Sequence, residues 1–306
     1  MAAFPTAASH PQMSGVYLPR LYAKRLLVEF YSVTVFGAIA NTDYEGEIKS
    51  QGDTVRIRQQ PDITIRDYTK GQILTYENPD PGSVDLEINK GKYWALRINK
   101  VDEVQSDIAF ATKWASHAAE NLKIKIDTDV LANVYADAHA SNKGATAGLI
   151  SGDINMGVSG TPLQLTKTNI LEIIVDCGTV LNEQDVPQSG RWIVIPAWAE
   201  GLVKKGDLKD ASLAGDGTSI MRNGRIGVIN NFTLFSSNLL ATTTDGSDTV
   251  FNSIFGTSES LTFASQMTES EVIPNPNDFG NLLRSLQVYG YKVVKAEAMG
   301  HLYVKK

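Results

Sequence analysis

The sequence predicts an α+β fold, on three observations. Residues 52–98 alternate apolar and polar side chains as a β-hairpin does, in Val55-Arg56-Ile57-Arg58, Val84-Asp85-Leu86-Glu87-Ile88 and Trp94-Ala95-Leu96-Arg97-Ile98. Directly afterwards, Val101 to Ala138 places apolar residues at steps of three or four along one helix face. The rest mixes strands and helices without βαβ regularity, and no repeat with a period of about 20–50 residues is present.

The elements follow in order. Residues 1–18 are small and polar, with Pro5 and Pro11 as breaks; such a terminus stays unordered unless another surface ties it down. Pro19 opens a predicted helix over 19–32, with Leu21, Leu26, Leu27 and Phe30 as its apolar side. Arg20, Lys24 and Arg25 precede the first acid, Glu29, which leaves this segment locally basic. It reads either as an ordinary solvated helix or as an arm that meets an internal partner or nucleic acid.

Gly52-Asp53 starts the hairpin, and its tip, Tyr76-Glu77-Asn78-Pro79-Asp80-Pro81-Gly82, reads as polar and proline-marked. A lone two-stranded ribbon is marginal in water. Arg56 and Arg58 facing Asp85 and Glu87 adds about 1 kcal/mol per pair at most, too little to hold it. The ribbon therefore needs a second surface, and its apolar side (Val55, Ile57, Trp94, Leu96) is a candidate contact with another subunit, as are its charges Arg56, Arg58, Asp85 and Glu87. The helix that follows spans roughly 57 Å if unbroken at 1.5 Å per residue, with Asn121 as a possible kink.

Residues 141–163 read as loop, Thr168 to Asn182 as helix, Arg191 to Ile195 as a buried strand stopped by Pro196, and Ala197 to Lys205 as a short helix. Residues 206–224 are Gly- and Asp-rich loop. Strands are expected at Gly227–Leu234 and Val250–Phe255, a helix at Ser260–Met267, and strands again at Leu282–Val288 and Tyr291–Val304, punctuated by Gly290 and Gly300.

Composition narrows the function. Of 306 residues, 42% are hydrophobic, ample for a core, and 20% are charged, slightly low, as for a surface partly covered by neighbours. A net charge of −6 argues against whole-molecule attraction to nucleic acid. No apolar run is long enough to span a membrane, and the N-terminus lacks a signal pattern. The single cysteine, Cys177, excludes an intrachain disulfide framework and a thiolate zinc site; inside an apolar helical run it reads as a small buried hydrophobe.

The search for chemistry finds nothing. His10, His117, His139 and His301 have no ligand spacing, and Asp127, Asp129, Asp137 and His139 scatter around a helix without a calcium-loop pattern. Gly215-Asp216-Gly217-Thr218-Ser219 lacks the Gly-Lys-Ser/Thr ending of a phosphate loop, and no Gly-x-Ser-x-Gly elbow occurs. No catalytic, cofactor or metal residue is assigned, and an enzyme is not expected.

The order of parts then carries a resemblance. An arm, a short helix, a projecting hairpin, a long helix, an α/β portion with glycine loops and returning strands resemble the major capsid proteins of tailed bacteriophages, a fold shared with encapsulins. The local wording resembles them too: Asp102-Glu103-Val104-Gln105-Ser106-Asp107, Arg191-Trp192-Ile193-Val194-Ile195-Pro196, Gly224-Arg225-Ile226-Gly227-Val228 and Tyr289-Gly290-Tyr291-Lys292-Val293-Val294.

The resemblance implies a map: an N-terminal arm over 1–30, inward-facing through Arg20, Lys24 and Arg25; an extended loop over 52–98 lying on a neighbour; a peripheral domain from 31–51, 99–144 and 271–306 with a spine helix; and an axial domain over 145–270. It implies hexamers and pentamers of one chain closing an icosahedral shell, the virion head, around double-stranded DNA held by weak non-specific contact, and assembly in the host cytoplasm. It implies a portal and, since no long helical region precedes the arm, a separate scaffolding protein; a decoration protein is possible and no membrane is involved. Some relatives crosslink a lysine of the extended loop; Lys70, Lys90 and Lys92 are available, but nothing marks one, and crosslinking is not expected. The alternatives are an encapsulin-type protein compartment or another virion structural protein, of the tail or of the decoration.

Overall fold

The computed structural model describes residues 34–43, 54–61, 63–101, 110–206 and 228–306. In chain order the elements are helix α1 (Phe36–Ile39), strands β1 (Thr54–Arg58), β2 (Ser83–Glu87) and β3 (Lys90–Asn99), the long helix α2 (Phe110–Asn133) and a 3-10 turn (Val134–Asp137). Then come β4 (Leu163–Gln164), α3 (Ile170–Glu183), β5 (Arg191–Ile195), α4 (Ala197–Lys205), β6 (Val228–Ile229), β7 (Phe232–Ser236), β8 (Thr242–Asp245) and β9 (Asp248–Thr257). Strands β10 (Leu261–Pro274), β11 (Gly280–Val293) and β12 (Met299–Lys305) close the chain. The fold is α+β.

A mixed sheet runs in the order β4-β12-β9-β5-β7-β6, with β8 paired to β9. Strand β5 lies parallel to β7 and antiparallel to β9. Its five residues are all buried because its two faces serve two cores. Ile193 and Ile195 face α3 and α4 through Ile174, Cys177, Leu181, Ala199 and Val203. Trp192 and Val194 face the opposite way, onto Ile126, Val130 and Val134 of the long helix and its continuation.

The antiparallel sheet β10-β11-β3 grows out of that second core, rooted by Leu261, Phe263, Tyr289 and Val293. On it rests the ribbon β1–β2, whose Ile57, Leu86 and Ile88 pack with Ala264 and against Val288 and Val294. Gly290 makes that contact possible, since a Cβ there would overlap the Glu87 carbonyl and the tip of Ile88.

Several expectations are corrected. The segment Trp94 to Ile98 belongs to β3 and pairs with β11, not with the ribbon, because alternation marks a strand but does not name its partner. The long helix is described from Phe110 and ends at Asn133 in a 3-10 turn, without a break at Asn121; residues 102–109 lie outside the described part. Ser260–Met267, expected as helix, lies largely in β10, where pairing with β11 decides a short apolar run that periodicity leaves ambiguous. Gly227–Leu234 contains a hairpin, β6–β7, turning through Asn230 and Asn231 at φ 47° and 64°. Gly290 lies within β11, not between strands. Residues 299–305, expected with the peripheral part, pair with β9 and β4 in the large sheet.

Candidate assembly surface

The ribbon's register follows from one pair. Arg56 lies opposite Asp85, and its Nε and one Nη donate to the two carboxylate oxygens at 2.8 and 3.0 Å. That hydrogen bond holds the Asp85 carboxyl below, and the Arg56 guanidinium above, its usual range. Both groups are exposed, so the pair sets register more than stability. In an antiparallel ladder this match places Arg58 opposite Ser83 and Glu87 opposite Thr54. The expected Arg58–Glu87 pair is therefore not formed, and Glu87 accepts from Asn89 instead.

Between the strands the chain leaves the body. Gln59 N–H donates to the Gly82 carbonyl at 2.8 Å and closes the neck. Further out, Glu77 accepts from the Thr64 N–H at 2.8 Å and faces Arg66. At the far end Thr69 to Gln72 form a turn: Gln72 N–H donates to the Thr69 carbonyl, its side-chain oxygen accepts from Thr69, and Gly71 sits at φ 91°. Among the described residues no strand ladder joins the two limbs between 59 and 82.

This extension is not polar. Ile63, Ile65, Tyr68, Ile73, Leu74 and Tyr76 are 56–91% exposed, and every residue from 63 to 83 lies at the surface. A doubled chain carrying six large apolar side chains that touch no core of its own has the makeup of an interaction surface. The expectation of a polar tip missed them. The signal was present in Ile63-Thr64-Ile65 and Ile73-Leu74-Thr75-Tyr76, β-prone stretches in a region read for its prolines.

The other contact candidates separate by burial. Ile57 is corrected: it is buried inside its own chain under the ribbon, so it has no surface to offer a neighbour. Val55 is half-buried beside it, and Trp94 and Leu96 are half-buried on the β3 face that meets α2. Arg20, Lys24 and Arg25 lie outside the described residues.

Two polar clasps fix the projecting parts to α2. At the root of β3, Lys90 Nζ donates to Asp129 at 3.0 Å and to the Tyr291 hydroxyl at 2.6 Å, while Tyr289 donates to the same carboxylate at 3.0 Å. Burial pushes the Asp129 carboxyl up, but the Lys90 and Tyr289 bonds outweigh it and hold it below its usual range. Lys90 is thus engaged inside its own chain, whereas Lys70 sits exposed in the turn of the extension. The second clasp is Asp127, fully buried on α2, whose oxygens accept the N–H groups of Val35 and Phe36 at 3.1 and 3.0 Å. It caps α1 from another element, and burial pushes its pKa up to about 6. Among the described residues no cluster of His, Cys, Asp and Glu is arranged to hold a metal.

Comparison with solved structures decides the fold. A chain of Mycobacterium phage Che8 superposes with a TM-score of 0.73 at 24% identity, covering 94% of this chain and 97% of the other. The capsid of the cyanophage P-SCSP1u gives 0.73 at 14% identity over 94% and 93%. The capsid of Ralstonia phage GP4 gives 0.62 at 12% over 100% and 98%. The chain has the phage-capsid fold. The likeness runs over 94–100% of the chain in these three comparisons. No family model matches the chain, and no curated protein does.

Proposed function

We propose that the chain is the major shell subunit of a tailed-bacteriophage head, a structural protein of the virion that assembles with copies of itself as hexamers and pentamers around double-stranded DNA. The observation that carries this reading is the extension, apolar and exposed throughout residues 63–82 on a phage-capsid fold. A surface of that kind is stable when a neighbour covers it, and subunits that present one patch and accept it elsewhere form rings when the rotation closes. In this reading the long helix with β10-β11-β3 is the peripheral domain, and the large sheet with α3 and α4 is the axial domain. A chain of net charge −6 suits a container that holds DNA by weak contact. A separate scaffolding protein and a portal are the expected assembly partners, with a decoration protein as a possible addition, and assembly takes place in the host cytoplasm. Negative-stain images of the expressed chain test the reading: closed shells or six- and five-membered rings are expected, and a compact monomer at every concentration, with the neighbouring gene products present, overturns it.

A further inference from the structure

Residues 34–43 form a strap between α2 and the edge of β10. Helix α1 within it is a single turn, too short to hold itself in water. Val35 and Ile39 enter the second core, and the Phe36 ring packs on Phe263 with 5.0 Å between centroids. At one end Asn41 N–H donates to the Leu261 carbonyl at 2.8 Å, and the Asn41 carbonyl accepts from the Phe263 N–H at 2.8 Å. This makes one parallel rung on the β10 edge. At the other end the Asp127 carboxylate of α2 accepts the Val35 and Phe36 amides, one on each oxygen. Among the described residues these are the donors that reach Asp127, and no lysine or arginine pairs with it. A fully buried carboxylate is thus held without a cation, bonded by the segment that crosses it.

We propose that residues 34–43 open from α2 and the β10 edge as one local unit, and that Asp127 couples this opening to proton binding, so that the strap opens more readily as pH rises. Closed, the carboxylate has no solvent and its charge is costly; open, it meets water. The closed state therefore holds the proton more tightly, with a pKa of about 6 against about 3.9 in water. The two amide bonds oppose the burial without outweighing it. Protons favour the closed strap, and raising the pH through this window favours the open one. The ionisable groups on the elements around Asp127 are engaged elsewhere. On α2, Lys123 pairs with Glu120, and Asp129 with Lys90 and Tyr289. Asp43 of the strap accepts from Asn41, and Arg191 of β5 donates to carbonyls beside α3. Tyr291 of β11 bonds Asp129, and Lys292, next to it in the strand, points to the opposite face. His301 of β12 bonds Asn252 and titrates in the opposite sense. Local units of low stability are where moving segments are found. Residues 1–33 join the described body through this strap, so its opening moves their point of attachment. The inference concerns the folded subunit and does not depend on whether the chain closes a shell.

The test is hydrogen exchange of the full chain from pH 4 to pH 7, read by mass spectrometry on peptides covering 34–43 and 126–131 and corrected for the intrinsic exchange rate. Sedimentation velocity under the same conditions records the assembly state. The strap amides are expected to exchange faster than those of 126–131, through an opening equilibrium that rises about fiftyfold from pH 4 to pH 7. D127N loses that rise, and H301Q keeps it. F36A removes the ring contact with Phe263, so it raises opening at every pH and keeps the rise; this arm decides if D127N does not fold. Strap protection that is constant or grows with pH, a rise that survives in D127N, or its loss in H301Q overturns the proposal. Strap amides that exchange no faster than those of 126–131 also overturn it, because the strap then has no opening of its own.

Discussion

At the scale of single residues, two titratable groups oppose each other. Asp127, buried, has its pKa pushed up to about 6 by burial, and His301, half-buried beside Tyr135 with Nε2 at 3.0 Å from the Asn252 side-chain oxygen, has its own pushed down to about 4 by loss of solvent. Unfolded, they titrate near 3.9 and 6.5. Between pH 4 and 6 the folded state holds more protons on Asp127 than the unfolded state does, so this group's contribution to stability falls as pH rises. Between pH 4 and 6.5 the unfolded state holds more protons on His301, so that contribution rises with pH. Each shift corresponds to roughly 3 kcal/mol, and over this window they nearly cancel. Relative to wild type, D127N is expected to lose about 3 kcal/mol more on going from pH 7 to pH 4, and H301Q to lose about 3 kcal/mol less. Denaturant titrations of the three proteins at both pH values check the signs; parallel pH profiles would remove both assignments.

Arg191 is a third residue with a measurable role. It is buried without a carboxylate, and it donates to the carbonyls of Pro187, Gly178 and Val186 and to the Asn182 side-chain oxygen at 2.6–3.3 Å. It therefore ties the end of α3 to the start of β5, and burial lowers its pKa without neutralising it. R191M strands those acceptors and is expected to cost about 3 kcal/mol of unfolding free energy. A loss under about 1 kcal/mol in a denaturant titration would show that water replaces the guanidinium.

At the scale of elements, the ribbon's seat depends on Gly290. In G290A the new Cβ meets the Glu87 carbonyl, a backbone atom that yields only if β2 moves. The ribbon is expected to lift from β11 while both main cores persist. Limited proteolysis then cuts between 54 and 88 faster than in wild type, with little change in far-UV circular dichroism; unchanged cutting would mean that the strands shift without releasing the ribbon. Legibility from sequence divides along this line. The strand Arg191–Ile195, its stop at Pro196 and the helix stripe through Ile126, Val130 and Val134 were readable, because periodicity and proline act locally. The partner of β3, the strand nature of Leu261–Pro274 and the burial of Ile57 were not, because each is decided by contacts remote in sequence. The apolar extension lay in plain text at Ile63, Ile65, Ile73 and Leu74, but with neither alternation over a long run nor a helical stripe it gave no periodic signal.

At the scale of the whole molecule, β5 joins two cores back to back, the second core roots the long sheet, and the extension leads off the ribbon that rests on that sheet. The two main cores close within the chain, and in the proposed reading the extension is the part that a neighbour covers. Trp94, half-buried against α2, is therefore a poor place to separate assembly from folding, whereas Ile65 and Ile73 touch no core and suit the purpose. I65D/I73D is expected to leave unfolding free energy within about 0.5 kcal/mol of wild type. Sedimentation velocity of wild type and I65D/I73D, run side by side at equal concentration, tests the central claim most directly. A fast boundary of rings or shells is expected for the wild type, and a slow, folded monomer for the variant. A wild type that sediments as the same monomer, or a variant that assembles as the wild type does, would contradict it.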